Sequence, residues 1–267
     1  MNNRETDCRT IAVTSGKGGV GKTCLAANLA WALARAGRRV LVVDADFGLA
    51  NLDIVLNVNP VATLHDVLFG ACPLEQAIVS GPGGFHILAA ASGVAEYTRM
   101  TTDLREQFPA LLRTLESRYD YLFFDTGAGI SDVVLYTASL AQDVIVVATP
   151  EPTSLADAYA AIKVMAVTQQ RRRFSLIVNQ TPTEAQAQAV FTQLRTVMGR
   201  FLSGDGRAPI ELIYLGHVPD DPAMARAICQ RTPIMQASPN TPAARAIQHL
   251  ADGLDAASSE SARATAA

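Results

Sequence analysis

Nowhere does the chain carry an uninterrupted apolar run of the ~20 residues that a bilayer-spanning helix requires. The opening stretch, Met1 to Thr10, is polar and mixed in charge, without the apolar centre of a secretory signal. Cysteine is scarce: Cys8, Cys24, Cys72 and Cys229 form no C-x-x-C pair and match no common zinc or iron–sulfur spacing. That pattern points to free thiols in a reducing compartment and against a metal-cluster carrier. Excess charge is lacking too. With 18% charged residues and a net charge of −3, the overall field does not favour free-standing nucleic-acid binding, although a local basic patch stays open. No internal repeat and no long linker divides the 267 residues. The expectation is a soluble cytoplasmic protein whose 49% hydrophobic content is that of an ordinary globular domain.

What is present is a regular alternation of short apolar runs with longer amphipathic segments, which predicts crossover units around a parallel sheet. Strands are expected at Thr10–Ser15, Arg39–Asp44, Phe85–Ala90, Tyr121–Asp125, Val144–Ala148, Phe174–Asn179 and Leu212–Gly216. Several are almost wholly apolar, such as Val40-Leu41-Val42-Val43, as strands covered on both faces must be. Leu25, Leu29 and Leu33 form one helical stripe that stops at Gly37. Val190, Leu194, Val197 and Phe201, widened by Phe191 and Met198, form another that reads as core packing, and Thr241-Pro242 opens a last helix. The fold expected is α/β, a central, mainly parallel twisted sheet with helices on both faces. Residues 10–255 form one domain in this reading, with 1–9 a flexible N-terminal segment and 256–267 a disordered tail.

The first strand runs into Gly16-Lys17-Gly18-Gly19-Val20-Gly21-Lys22-Thr23 and a helix follows. This satisfies the phosphate-loop pattern G-x-x-x-x-G-K-[ST] in its required strand–loop–helix setting. Glycines let backbone N–H groups close around phosphate oxygens, and the helix N-terminus adds unpaired donors and partial positive charge. Lys22 is placed to reach the β- and γ-phosphates and the Thr23 hydroxyl to ligate Mg²⁺. A P-loop needs one lysine, yet Lys17 supplies a second. From chemistry alone, Lys17 is either a solvated loop residue or a second phosphate ligand.

Lys17-Gly18-Gly19-Val20-Gly21-Lys22-Thr23 resembles the deviant Walker A motif of the MinD/ParA ATPases, in which the early lysine is the signature. The resemblance extends from Ile11 to about Leu250. Asp44-Ala45-Asp46-Phe47-Gly48-Leu49-Ala50-Asn51-Leu52-Asp53 is similar to the first switch of MinD-type members, and Asp125-Thr126-Gly127-Ala128-Gly129-Ile130-Ser131 to the second. Thr149-Pro150-Glu151-Pro152-Thr153-Ser154, Asp157-Ala158-Tyr159, Thr63-Leu64-His65-Asp66-Val67-Leu68 and Gly81-Pro82-Gly83-Gly84 are most similar to the FlhG (FleN) branch, which sets bacterial flagellar number and placement.

The resemblance implies a slow Mg-dependent ATPase that forms a sandwich dimer with ATP and is monomeric with ADP or empty. Lys17 then reaches the partner's phosphates, Asp46 orients the attacking water, and Asp125 binds Mg²⁺ directly or through water, with Asp44 supporting the metal shell. Gly16 to Thr23 with the Cys24 backbone N–H hold the phosphates. Asn179, with Pro219 and Asp220 after the last strand, contacts adenine, and Glu151 reaches the partner's ribose. Gly127 and Gly129 give the second switch its backbone freedom.

Partners implied are a flagellar basal-body protein of FliM/FliN type or a flagellar transcription regulator. Activation of the GTPase FlhF is unsupported, because the residues before Ile11 hold no D-Q-A-x-x-L-R segment. Membrane contact is peripheral at most: the last helix offers Ile247, Leu250, Leu254 and Arg245, but also Asp252 and Asp255. Docking of that helix on the domain's own core is expected instead, with transient residence at the inner membrane or cell pole left open. Other readings are a DNA-partitioning ATPase, whose dense basic cluster is Arg171-Arg172-Arg173, a cell-division-site positioning ATPase of the same family, and a nucleotide-gated scaffold with negligible hydrolysis. Nucleic acid is not the expected partner.

Overall fold

The computed structural model describes residues 8–91, 102–202 and 208–265. Along the chain run β1 (Arg9–Ser15), α1 (Lys22–Arg35), β2 (Val40–Ala45), α2 (Leu52–Leu56), α3 (Leu64–Leu68), α4 (Leu74–Ala77), β3 (Ile78–Ser80), β4 (His86–Leu88) and α5 (Thr102–Glu116). There follow β5 (Tyr121–Ala128), α6 (Asp132–Leu140), β6 (Asp143–Ala148), α7 (Pro152–Thr168), β7 (Arg173–Thr181), α8 (Glu184–Leu202), β8 (Glu211–Pro219), α9 (Pro222–Cys229), α10 (Ile234–Ala237) and α11 (Pro242–Thr265). The strands form one sheet in the order β3-β4-β2-β5-β1-β6-β7-β8, parallel at every pairing except β3 with β4.

All seven expected strands are present, and the mainly parallel α/β architecture is the one the sequence predicts. The strand it does not reveal is β3, whose three residues are too short to show a period and which pairs antiparallel at the sheet edge. Burial explains the apolar strands. Leu41 and Val43 of β2 join Leu122 and Phe124 in a core that also takes residues of α5 to α8. Val40 and Val42 point the other way, into a core shared with α1, α9, α10 and α11. Each strand must therefore satisfy two apolar layers at once.

On α1, Leu25, Leu29 and Leu33 are buried, and the chain turns at Gly37 with φ 88°. Val190, Leu194 and Met198 of α8 are core residues, but Phe201 stands 63% exposed, with the Arg200 guanidinium 5.3 Å from its ring. The Gly81-Pro82-Gly83-Gly84 turn packs on the single tryptophan: a Cβ at Gly83 would lie 2.2 Å from the Trp31 ring.

Both ends of the ordered domain lie beyond the sequence expectation. Residues 1–7 of the expected flexible segment fall outside the described residues, but Cys8 is buried and Arg9 already belongs to β1. The expected disordered tail from 256 is instead a continuation of α11 through Thr265. Alanine-rich sequence favours helix, and side chains from the sheet hold the segment in place. Tyr121 Oη donates to Asp255 Oδ1 at 2.9 Å and lies 2.8 Å from Ser258 Oγ. Arg9 donates to the Leu254 carbonyl at 2.8 Å and to Ser258 Oγ at 3.1 Å, while Arg38 forms a two-pronged pair with Asp255. Ile247, Leu250 and Leu254 are buried against the sheet. Among the described residues no helix is long and apolar enough to cross a membrane.

Candidate functional site

Where β1 ends, the chain passes over the top of the sheet as a glycine loop and drops into α1. Gly19 and Gly21 take φ of 79° and 94°, conformations that side-chain-bearing residues rarely adopt. Gly16 is glycine for a different reason: a Cβ there would lie 2.1 Å from the Asp157 carbonyl oxygen on α7. Ser15 Oγ donates to the Lys17 carbonyl at 2.7 Å and accepts from Lys22 Nζ at 3.0 Å, bracing the loop from inside. No side chain caps α1 and no acidic residue stands in its first turn. Its N–H donors and positive pole therefore face the cavity uncompensated, as an anion site requires.

That cavity has a volume of about 700 Å³, and Lys22, Thr23, Asp46, Gly127, Gln180 and Ile228 contribute to its wall. Lys22 is 8% exposed. Burial pulls its ammonium pKa down, while Asp125 and Asp46 oppose the shift. Asp125, late in β5, is buried, and the nearby Thr23 hydroxyl opposes the rise that burial gives its carboxyl pKa. Its Oδ1 has no hydrogen-bond partner among the described residues. An orphaned carboxylate oxygen at full burial beside a hydroxyl is costly unless a cation uses it. These two residues therefore fit Mg²⁺ in donor chemistry, both supplying hard oxygen.

Asp44, its β2 neighbour in register with Asp125, behaves differently. Its Oδ1 accepts the Asp46 N–H at 3.0 Å, and its Oδ2 accepts those of Asn51 at 3.2 Å and Leu52 at 3.1 Å. Asp44 thus anchors the loop 46–52 through N–H groups that reach both of its oxygens. Burial raises the carboxyl pKa of Asp44 and of Asp125, and the Asp125 charge adds to the rise at Asp44.

Asp46 stands on the anchored loop. Its Oδ1 accepts the Leu49 N–H at 3.1 Å, and its carboxylate rests against Gly127 of the second switch. A Cβ on Gly127 would crowd that carboxylate at 3.2 Å, and Gly129, two residues on, has a positive φ, 90°. Lys17 points away from the cradle to an ion pair with Glu151 and to Thr153 Oγ1 at 3.3 Å, with its side chain 38% exposed. Lys17 in turn holds the Glu151 carboxyl below its usual range.

A family model described as ParA, "NUBPL iron-transfer P-loop NTPase", matches residues 8–255. The chain belongs to the ParA/MinD family of P-loop NTPases. Among its relatives, the antiactivator FleN of Pseudomonas aeruginosa is 37% identical over 247 residues, covering 92% of this chain and 86% of FleN. The flagellum site-determining protein YlxH of Helicobacter pylori is 32% identical, covering 90% of this chain and 80% of YlxH. Among solved structures, MinD in the Aquifex aeolicus MinC:MinD cell division complex superposes with TM-score 0.76 at 28% identity, covering 93% and 96% of the two chains. The Pyrococcus horikoshii septum site-determining protein MinD, solved with Mg-ADP, gives TM-score 0.73 at 29% identity with the same coverages.

Within this ParA/MinD frame, Asn179 and Asp220, expected near the base, are bonded to the protein's own backbone. Asn179 Nδ2 donates to the Val20 carbonyl at 2.7 Å and would lie 2.4 Å from a Cβ on Gly21, so its amide straps the P-loop. Pro219 ends β8, and the Asp220 N–H is used by the Thr181 carbonyl at 3.2 Å. Cys24 does reach the cavity, its thiol pushed up to about 11 by burial and Asp125. The wall also holds residues given no role of their own from sequence, among them Phe47, Leu49, Gln180 and Ile228. Gln180 adopts φ 55°, which no glutamine advertises, and Ile228 arrives from α9, far along the chain. In the basic cluster, Arg171 donates to the Gln142 carbonyl at 2.9 Å and the Ala138 carbonyl at 3.1 Å at the end of α6, and Arg173 pairs with Glu211 at 3.6 Å. The four cysteines stand as free thiols.

Proposed function

We propose that the protein is an ATP-hydrolysing switch that dimerises around Mg·ATP and regulates flagellar number and placement through protein partners. The observation that carries this reading is the division between its two P-loop lysines. Lys22 is buried at the cradle and braced on Ser15, whereas Lys17 lies outside it, partly exposed and paired with Glu151.

Lys22 and the first-turn N–H groups of α1 hold the β- and γ-phosphates. Thr23 and Asp125 hold Mg²⁺, which when bound draws charge from the phosphoryl oxygens. Asp46 accepts a hydrogen bond from water and aligns it with the γ-phosphorus. The water oxygen bonds to phosphorus as the bond to the bridging oxygen breaks, giving ADP and phosphate. Lys17 leaves Glu151 for the phosphates of a second copy, where a cation supplied in trans is worth about 10³–10⁵ in rate. Adenine would lie on the side where Asn179 straps the loop and Pro219 and Asp220 follow, with Glu151, released, turned to the partner's ribose. Loss of the γ-phosphate frees the loop that holds Asp46 and the segment around Gly127, and the copies part.

The flagellar role is supported by the identity to FleN and YlxH over nine-tenths of this chain. The engagement of Arg171 with α6 leaves the DNA-partitioning reading without the core of its basic patch. Light scattering with ADP, ATP and a non-cleavable analogue tests the switch: mass doubles with the last two and not the first. A monomer in all three would end this reading, and tight ATP-dependent dimers of Lys17→Ala would remove the lysine exchange. Affinity capture with Asp46→Ala and ATP is expected to recover a basal-body or flagellar transcription protein.

A further inference from the structure

The motif Thr63 to Leu68 has no part in the chemistry above, yet it carries a buried histidine directly beneath the loop that holds Asp46. That loop is fixed at both ends by Asp44, through the N–H groups of Asp46, Asn51 and Leu52. Between those ends, Phe47 is the large side chain driven inward, 1% exposed, immediately after Asp46. Its ring meets the His65 ring edge-on, with centroids 5.1 Å apart and an interplanar angle of 74°.

His65 is itself held. Only 2% of it is exposed, and its Nδ1 accepts the Ala91 N–H at 3.2 Å. The helix that presents it is fixed by a reciprocal cap, Thr63 N–H to Asp66 Oδ2 at 2.7 Å and Asp66 N–H to Thr63 Oγ1 at 3.4 Å. The Leu64 N–H donates to the Ala89 carbonyl at 2.7 Å, so α3 is fastened to the chain leaving β4. Burial holds the imidazole neutral, which leaves Nδ1 able to accept.

We propose that His65 is a positioning residue for hydrolysis: through Phe47 it sets where Asp46 stands, and through Ala91 it ties that placement to the end of β4. Phe47 cannot relocate without vacating a buried aromatic site, and the residue beside it carries the carboxylate that must align water. The wedge therefore acts on the transition state and not on the ground-state grip of the phosphates, which comes from the P-loop.

The inference rests on the reading that Asp46 orients the water, and the test separates the two. Full-length wild type, His65→Phe, His65→Asn, Phe47→Leu and Asp46→Ala are compared in steady-state hydrolysis and in binding of a non-cleavable ATP analogue, below each variant's melting temperature. His65→Phe keeps a ring and loses the acceptor; His65→Asn keeps an acceptor and loses the ring. Each is expected to lower kcat by about 10- to 100-fold while analogue affinity stays within about twofold, as misplacement of a catalytic group does. Phe47→Leu keeps the site apolar while removing the ring that meets His65 and is expected to show the same split, which decides the matter if the histidine variants do not fold. Wild-type kcat in the folded variants, or a parallel loss of affinity and kcat, overturns the proposal. Undiminished hydrolysis in Asp46→Ala would instead remove the reading beneath it.

Discussion

The carboxylate of Asp46 lies against the bare Cα of Gly127: a Cβ placed there would meet Oδ1 at 3.2 Å and the carboxyl carbon at 3.3 Å. The segments that follow β2 and end β5 thus touch through a missing side chain. Gly127→Ala should move Asp46 by a few tenths of an ångström without straining the backbone. Hydrolysis is expected to fall about 10- to 100-fold with nucleotide affinity nearly unchanged. Phosphate release and equilibrium binding on one preparation check it; equal losses in both would contradict the geometry.

The two lysines should separate cleanly. Lys22→Ala removes a buried charged donor and is expected to weaken ATP binding about 10- to 100-fold. Lys17→Ala should bind ATP within about twofold of wild type and hydrolyse about 10³-fold more slowly. Titration with a fluorescent ATP analogue and single-turnover hydrolysis measure the two effects.

Asn179→Asp replaces the donor facing the Val20 carbonyl by an acceptor of the same shape. Leaving that carbonyl opposed costs about 1–3 kcal/mol, so nucleotide affinity should drop roughly tenfold or more. A wild-type dissociation constant would show that Asn179 does not support the loop.

At the other end of the sheet, Tyr121→Phe removes the hydroxyl that binds Asp255 and Ser258. A loss of about 1 kcal/mol is expected. Truncation before Asp255 takes Asp255 from Arg38 and Tyr121 and Ser258 from Tyr121 and Arg9, which keeps the Leu254 carbonyl and Asp143, and should cost about 2–3 kcal/mol. Urea unfolding reads both. ATP hydrolysis should not change, because these residues sit at the N-terminal ends of the strands, opposite the P-loop.

His65 should also make stability depend on pH. Burial lowers its pKa from 6.5 to about 4, with the nearby Asp66 charge offsetting part of the shift. Between those values the unfolded chain binds more protons than the folded one, so unfolding free energy rises with pH. The contribution is complete above 6.5 and is lost as pH falls toward 4. His65→Phe should flatten the profile in this window; an unchanged slope would place the titration elsewhere.

The P-loop was legible because its chemistry is local: Gly16 to Thr23 must be contiguous, and the strand before and helix after are visible in hydrophobic periodicity alone. The strands read clearly because residues such as Val40 and Leu41 face opposite cores and neither can be polar. Short β3 carried no such period. The tail misled because alanine and serine are equally compatible with disorder and with a helix that finds partners, and Arg9 and Tyr121 lie far away in sequence.

What the sequence determined by itself was the set of chemical groups and the order of the longer strands and of the helices with a clear apolar stripe, because those follow from contiguous motifs and short-range periodicity. Which groups meet was decided by the folded sheet. It made Asp44 an anchor of the loop that carries Asp46, gave Asn179 the Val20 carbonyl, left Asp125 with an oxygen to offer a cation, and set His65 under Phe47. Those outcomes depend on distances between segments tens of residues apart, fixed only when the sheet has closed and its two cores have packed.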